Sequence, residues 1–348
     1  MHFRTIFSFD PKSTISRLSP GSFSIVMATG IVSISAHFMG HDFFAKTLFL
    51  LNTAIYAILF TLNLSRMFRF RRDILPELLD HCRGPGFFTI IAGSTVLGSQ
   101  FILIQDEPEI ALLLWSFGLF LWFISTYFIF AALTVKARKP SLERGINGGW
   151  LLAVVAPQSV SVLAALLSTH FRGDVAELDF VALCMWLWGG MVYLWLISQI
   201  FYRLLFLKFS PADLDPAYWI NMGAMAISTL AGSLLIENAP DFHLLRDLLP
   251  FLKGVTLGYW VTGTWWIPML ILLEFWKNVR IPFAYSPAVW SAVFPAGMYA
   301  ASTFQLEAAL DLKFLQFLPP LSLSVAAALW AAAIFGLARR LVPHSSHS

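Results

Sequence analysis

Few ionisable residues of this chain lie inside its long apolar stretches, where residues with a chemical role would have to be. Away from the ends of such stretches, the only acidic, basic or histidine residues are His37 and Lys253. Proton-coupled transporters usually hold Asp, Glu or His at membrane depth, cation pathways use acidic rings, and metalloproteases use a His-Glu-x-x-His helix. The sequence has none of these patterns, so it predicts no catalytic residues, no metal site and no cofactor.

One apolar stretch carries an unusual pair of residues at its middle. The sequence WSAVFPAGMYA, residues 290–300, places Phe294 next to Pro295. Proline lacks a backbone N–H, so the carbonyl of Ser291 loses its helical partner and the helix bends. A bulky ring at such a bend is either a hydrophobic constriction that gates by dewetting or an ordinary contact with a neighbouring helix. These residues alone leave both interpretations open.

The composition indicates what kind of fold must position these residues. The 348 residues are 58% hydrophobic and 12% charged, with a mean hydropathy of +0.72, whereas soluble domains are about a quarter charged. We therefore predict an all-α integral membrane protein with one transmembrane domain, residues 20–340, an N-terminal segment 1–19 and a C-terminal tail 341–348. A crossing needs about 20 apolar residues, and ten stretches fit that length: 21–40, 43–65, 86–105, 110–135, 148–169, 179–203, 217–237, 248–275, 286–304 and 316–338.

The basic residues predict the orientation of the chain. If all ten stretches cross, 18 of the 23 Lys and Arg residues fall on the side that holds both termini, and 5 fall on the other side. Because basic residues favour the cytoplasmic side, we predict a multi-pass protein of the cell inner (plasma) membrane with both termini cytoplasmic. The net charge of +3 is too small to indicate nucleic-acid binding.

Odd-numbered and even-numbered stretches differ in composition. Gly or Pro interrupts the odd stretches near residues 30, 93, 157, 223 and 295, at intervals of 63 to 72 residues, and the odd stretches also carry more Ser, Thr, Asn and Gln. Small and hydroxyl residues suit tight helix packing or a water-lined path. We predict five tandem hairpins whose odd helices break at mid-depth and line a central pore inside an outer wall of even helices. The predicted pore-lining residues are Phe23, Met27, Thr29, Gly30, Gly93, Ser94, Pro157, Gln158, Asn221, Gly223, Ser291 and Gly297.

Several of these segments resemble one family. SFSIVMATGIVSI, residues 22–34, resembles the first-helix signature Phe-x-x-x-Met-Gly-Thr-Gly-Ile of the tellurite-resistance/dicarboxylate transporter family, although Ala28 stands where that family often has Gly. WSAVFPAG resembles its ninth-helix Trp-x-x-x-Phe-Pro pattern. GWLLAVVAPQSVSV and YWINMGAMAISTLAG are similar to its fifth and seventh helices. Together these segments extend over essentially the whole chain in the family's order.

The resemblance implies a fold and an assembly. The family includes fungal malate transporters, sulfite exporters, bacterial tellurite-resistance channels and plant slow anion channels. Its fold is five tandem hairpins around a central pore with inner helices kinked by Pro or Gly, and its channels assemble as trimers with one pore in each protomer. In those channels a Phe on the ninth helix occludes the pore, and the matching residue here is Phe294.

These observations predict a transporter rather than an enzyme. The predicted function is membrane transport of small anions, inorganic anions or C4-dicarboxylates, through a five-helix pore gated by Phe294. The expected partners are the anion, membrane lipid and two further copies in a homotrimer. Two alternatives remain: a proton-coupled carrier or exporter of malate-like dicarboxylate, sulfite or tellurite, and a membrane receptor, sensor or assembly partner without transport.

Overall fold

The computed structural model describes residues 18–171, 175–282 and 286–341, so residues 1–17 of the predicted N-terminal segment and 342–348 of the predicted tail lie outside it. Ten long helices fill the described ranges, and each overlaps one predicted stretch with ends that agree to within about six residues. They are α1 Ser24–Phe38, α2 Asp42–Arg69, α3 Phe88–Gln105, α4 Pro108–Val135, α5 Leu152–Ser168, α6 Val175–Phe206, α7 Ile220–Glu237, α8 Leu249–Asn278, α9 Trp290–Leu310 and α10 Leu318–Leu341.

Nine of the helices in the described ranges are long and apolar enough to cross a membrane. The helix outside this group is α9, which has 21 residues. Its length is sufficient, but its Ser, Thr, Tyr and Gln residues make it less apolar than the others. The architecture is that of an all-helical integral membrane protein.

Burial divides the helices into two alternating sets. In α1, α3, α5 and α7, 67% to 100% of the most apolar stretch is buried, whereas in α2, α4, α6, α8 and α10 the share is 17% to 39%. Most residues of α9 are buried as well. We call α1, α3, α5, α7 and α9 the inner helices and the other five the outer helices.

The inner helices contact one another in a closed cycle. The contacts run from α1 to α3, α5, α7, α9 and back to α1. Each outer helix also contacts the inner helix that precedes it in the chain. The small residues of the inner helices permit these close approaches, because helices pack most tightly where side chains are short.

A 3₁₀ turn precedes each inner helix. The five turns are Pro20–Phe23, Gly84–Phe87, Gly148–Leu151, Pro216–Trp219 and Pro287–Val289. Pro fits the first turn of a helix because its missing N–H would be unpaired there anyway. Consecutive turns contact each other, so all five inner helices begin at one end of the bundle. We call these five turns the collar and that end of the molecule the basic face.

The other described elements are short. The remaining 3₁₀ turns are Pro211–Asp213 and Lys313–Leu315, and the short α-helices are Arg71–Leu78, Leu142–Gly145 and His243–Asp247. These segments connect the long helices.

The predicted breaks within the inner helices are wrong. Each inner helix is continuously helical through the position concerned, including Pro157 in α5 and Pro295 in α9. A single proline costs one backbone hydrogen bond, which a buried helix held by neighbours tolerates. Non-α geometry lies instead in the collar, where each helix begins.

Candidate functional site

The predicted gate residues lie on α9 between two neighbouring inner helices. A Cβ placed on Gly223 of α7 would lie 2.8 Å from Cγ of Pro295, and one on Gly297 would lie 2.9 Å from Cγ2 of Ile31 on α1. Ser35 Oγ of α1 also donates to the carbonyl oxygen of Gly297 at 2.8 Å. Glycine at positions 223 and 297 therefore allows α9 to fit closely against α7 on one side and α1 on the other.

A third side of α9 contacts the outer helix α8. Trp260 Nε1 donates to Thr303 Oγ1 at 3.0 Å, and the hydroxyls of Thr264 and Tyr299 lie 2.9 Å apart. Phe294 belongs to none of these contacts and is 2% exposed. Its ring is enclosed by the protein rather than turned to lipid.

Phe23 lies against α3. A Cβ on Gly93 would be 3.3 Å from Cδ1 of Phe23. The Phe23 ring also meets Tyr56 of α2 edge-on, with ring centroids 5.6 Å apart. Gly93 thus provides the space that Phe23 fills at the junction of α1, α2 and α3, and Met27, one turn later, is also buried.

Three predicted pore-lining polar side chains bond to outer helices. Thr29 Oγ1 accepts from Trp330 Nε1 of α10 at 3.0 Å. Ser94 Oγ lies 2.9 Å from Tyr56 Oη of α2, and Gln158 Nε2 donates to the carbonyl of Trp186 on α6 at 3.0 Å. These hydrogen bonds turn the three side chains toward the outer helices.

Other inner-helix polar groups follow the same direction. Ser33 Oγ donates to Ala45 O of α2, and Ser161 Oγ donates to Ala182 O of α6, both at 2.7 Å. A Cβ on Gly30 would meet Val96 together with Asn52 and Gln100, whose side chains bond to each other at 2.6 Å. We call these contacts between inner and outer helices the polar seams.

The remaining predicted residues have fewer contacts. Pro157 is buried within α5 and Ser291 is half-buried in the first turn of α9. Asn221 is fully buried near the start of α7, and neither its Nδ2 nor its Oδ1 has a hydrogen-bond partner among the described residues. A buried unpaired amide is costly, and Asn221 is the predicted site residue whose side-chain amide has both polar atoms without a partner among the described residues.

Arg66 and Arg203, whose sequence positions indicated only the orientation of the chain, are buried at the basic face. Arg66 is 1% exposed and donates to Glu77 Oε2 at 2.7 Å, while Arg83 lies 2.8 Å from the other oxygen of Glu77. The ion pairs attach the short helix Arg71–Leu78 to the end of α2. A buried charge needs such a partner because desolvation is expensive.

Arg203 joins three segments of the basic face. Its Nη1 donates to Ile146 O at 2.6 Å and Tyr218 Oη at 2.7 Å, and its Nη2 lies 3.4 Å from Asp213 Oδ1. Hydrogen bonds from the Ser210 side chain and backbone, with a smaller contribution from Arg203, hold the pKa of Asp213 below its usual range. Arg203 thus fixes the end of α6 to the segments that precede α5 and α7.

A buried carboxyl lies near the opposite face. Asp179 of α6 is fully buried and bonds to Ser168 and Asn238. Hydropathy alone places residue 179 at the first position of a predicted span, where water would reach it, so its burial does not follow from the sequence. The available signal was a lone Asp within LDFVALC, residues 178–184, an otherwise apolar segment.

Buried inner helices in a closed cycle, surrounded by outer helices that expose apolar side chains, define a multi-pass membrane protein. The sequence profile of the SLAC1 family, described as voltage-dependent anion channel, matches residues 17–338. The chain therefore belongs to the SLAC1 family, which confirms the resemblance drawn from the helix motifs.

Individual relatives extend the comparison. An uncharacterized transporter of Methanocaldococcus jannaschii is 24% identical over 303 residues, which are 84% of this chain and 85% of that protein. An uncharacterized membrane protein of Mycobacterium tuberculosis is 37% identical over 135 residues, 38% of this chain and 68% of that protein. A sulfite efflux pump of Trichophyton rubrum is 25% identical over 344 residues, 91% of this chain and 88% of the pump.

Proposed function

We propose that this protein transports small anions across the membrane along the axis enclosed by the five inner helices, with Phe294 as the constriction. The observation that carries the proposal is the closed cycle of buried inner helices in a chain of the SLAC1 family. In this proposal the hairpins are arranged as the resemblance implies, with inner helices around the path and outer helices facing lipid.

The positions of the contacts on α9 support an axial Phe294. Successive helical residues are turned by about 100°. Measured from Pro295, which faces α7, the residues that contact α8 lie at about +40° and +80°, Gly297 lies at about −160° toward α1, and Phe294 lies at about −100°. Phe294 therefore projects from the arc between α7 and α1, away from α8.

Two predicted pore-lining residues of α1 lie on different sides of that helix. Thr29 faces α10 through its bond to Trp330. Met27 lies about 160° around the helix from Thr29, and it is buried without an outer-helix hydrogen bond. We propose that Met27 and Phe294 line the path, whereas Thr29, Ser94 and Gln158 belong to the polar seams.

Electrostatics supports an anion as the substrate. All five inner helices begin at the collar, and each helix N-terminus carries a partial positive charge. Five such termini around one opening would attract an anion. An apolar constriction beyond the collar would then oppose water and ions until the ring moves.

Sidedness and assembly complete the proposal. The basic face would be cytoplasmic, since it carries the loops that are rich in Lys and Arg, and the protein would lie in the plasma membrane. The homotrimer implied by the resemblance would give three independent paths. Native mass measurement in lipid nanodiscs tests this assembly, and a monodisperse monomer that transports anions would contradict it.

The class of anion is tested by reconstitution. The sulfite efflux pumps among the relatives favour sulfite first, and C4-dicarboxylates follow from the family resemblance. Reversal potentials across a panel of sulfite, chloride, nitrate and malate, measured with purified protein in planar bilayers, would rank these anions. Absence of current and of isotope flux for every anion would reject the proposal and favour a receptor or assembly partner.

Replacing Phe294 by Ala tests the constriction. The smaller side chain should increase anion flux in proteoliposomes by tenfold or more, taking removal of about 1.4 kcal/mol from a barrier as tenfold. The matched control is Phe275→Ala on α8, because Phe275 is 69% exposed to the membrane side. Equal flux for wild type and a folded Phe294→Ala protein would remove Phe294 from the mechanism.

A proton-coupled carrier is the second candidate, and buried Asp179 is the observation that favours it. Such a carrier would accumulate sulfite or malate in vesicles when only a pH gradient is imposed. A channel would equilibrate the anion under the same conditions. Accumulation above equilibrium would replace the channel proposal by the carrier.

A further inference from the structure

Three segments meet at Asp179. The carboxyl group extends from the start of α6, Ser168 ends α5, and Asn238 follows the last residue of α7. Asp179 Oδ1 lies 2.9 Å from Ser168 Oγ and 2.8 Å from Asn238 Nδ2. The three side chains are 0%, 2% and 6% exposed, respectively, so water does not compete for these contacts.

If Asp179 is ionised, this cluster has fewer hydrogens than close contacts. Ser168 has one hydroxyl hydrogen but lies 2.9 Å from both Ala165 O and Asp179 Oδ1. Asn238 Nδ2 has two hydrogens and lies within 2.9 Å of Ala165 O, Ser168 Oγ and Asp179 Oδ1. Three hydrogens thus serve five close contacts.

One added proton raises the number of hydrogens to four for the five contacts. With a hydrogen on Asp179 Oδ1, the carboxyl donates to Ser168 Oγ, and the serine hydroxyl then donates to Ala165 O. Asp179 Oδ2 has no hydrogen-bond partner among the described residues. An unpaired buried oxygen costs less in a neutral acid than in a carboxylate.

The neighbouring charges also disfavour an ionised Asp179. Asp241, after α7, adds a negative charge nearby. On α5 and beside it, His170 pairs with Asp106 at 3.5 Å. Glu237, the last residue of α7, accepts from Gln305. Arg246, on the short helix His243–Asp247, donates to Pro240 O. Within α6, Glu177 is exposed to solvent. His170 and Arg246 thus have polar partners other than Asp179.

We propose that Asp179 is a proton-binding site that joins α5, α6 and α7 near the opposite face. The bound proton forms the Asp179 to Ser168 hydrogen bond. When the proton leaves to water, a carboxylate remains with one unpaired oxygen, and the contacts among the three helices loosen. For its effect on transport, the inference depends on the proposed function; the binding site itself does not.

The sign of the pH dependence of stability distinguishes a protonated Asp179 from an ionised carboxylate. If a carboxyl keeps its proton in the folded state, the folded protein loses stability relative to the unfolded chain as the pH rises from the carboxyl's unfolded pKa to its folded pKa. The uncharged, isosteric variant Asp179→Asn should not lose stability in this way as the pH rises. The melting temperature of Asp179→Asn minus that of wild type should increase as pH is raised from about 4 to about 8 and should be positive at the upper end.

Two controls accompany the measurement. Glu177→Gln removes an exposed carboxyl from the same helix and should give a difference that does not change with pH. Asp179→Ala should melt below wild type at low pH, because it leaves Ser168 and Asn238 without their partner. Infrared difference spectra should contain the C=O band of a protonated carboxyl in wild type, and Asp179→Asn should remove it.

The outcomes are separable. The proton site would be overturned if Asp179→Asn melted below wild type by the same amount at every pH. It would also be overturned if no carboxylic acid band could be assigned to Asp179. If the proton site holds but no variant transports any anion, the proposed function fails and the site stands. If both hold, wild-type flux should depend on the pH at the opposite face over the same range, and Asp179→Asn flux should not.

Discussion

The inner helices present two different surfaces. Their seams with the outer helices are polar, with hydroxyl and amide groups bonded across by Trp330, Tyr56, Trp186 O and similar partners. In the proposed function their other faces, toward the centre of the cycle, carry large apolar side chains such as Phe294 and Met27, and both residues are buried. The polar side chains of the inner helices therefore serve mainly to bond these helices to the outer helices, and fewer of them are available to line a transport path.

The membrane setting explains that division. A hydroxyl facing lipid has no partner, so it is most useful between two helices, where it bonds to a carbonyl or to another side chain. Individual bonds of this kind contribute modestly, about 0.6 kcal/mol on average, but the seams contain several. An apolar axial surface, in contrast, binds no ion firmly and suits a path from which anions must leave.

The largest effect on stability is expected at Arg203, which joins the end of α6 to the segments that precede α5 and α7. Replacing Arg203 by Leu removes the donors to Ile146 O and Tyr218 Oη, and hydrogen bonds from a charged group contribute about 1.5 to 3 kcal/mol. We expect a loss of about 2 to 3 kcal/mol in the free energy of unfolding, measured by denaturant titration in mixed micelles. Arg339→Leu, at the exposed end of α10, is the control.

An intermediate effect is expected in the seam between α5 and α6. A Cβ on Gly189 would lie 2.5 Å from Nε2 and 2.8 Å from Cδ of Gln158, whereas one on Gly258 of α8 meets nothing within 4 Å. Gly189→Val should destabilise the fold by about 1 to 3 kcal/mol through overpacking, while Gly258→Val should not. Equal melting temperatures for the two variants would contradict the tight seam.

The smallest effect tests the assignment of Thr29. Thr29→Val keeps the shape but removes the acceptor of Trp330 Nε1, so we expect about 0.6 to 1 kcal/mol of destabilisation and unchanged anion selectivity. Reversal potentials and thermal unfolding are measured on the same preparation. A changed selectivity with unchanged stability would return Thr29 to the path and invalidate the distinction between the two surfaces.

Sequence reasoning located the helices because length and hydropathy are properties of each segment alone. Membership of the family also followed from local motifs around Met27, Pro157 and Phe294, and the family profile confirmed it. The roles of individual polar residues could not be read in the same way. Thr29 and Met27 are two residues apart in one helix, and only the neighbours on each side decide which of them faces α10.

Buried charges also escaped the sequence analysis. Arg66, Asp179 and Arg203 lie near predicted helix ends, where a lone sequence suggests contact with water. Each is instead covered by a segment distant in the chain, such as Glu77 at Arg66 or Asn238 at Asp179. Their burial depends on which loops fold over the bundle, and hydropathy contains no information about that.

The sequence by itself determined the all-helical membrane architecture, the alternation of helix types and the family, because the bilayer imposes helix length and apolarity on each segment separately. Only the tertiary structure decided which polar groups bond outward in the seams, which side chains face the enclosed axis, and that Asp179 is sealed between three helices. Those properties depend on the rotation of each helix about its own axis, and helix rotation is fixed by packing against neighbours.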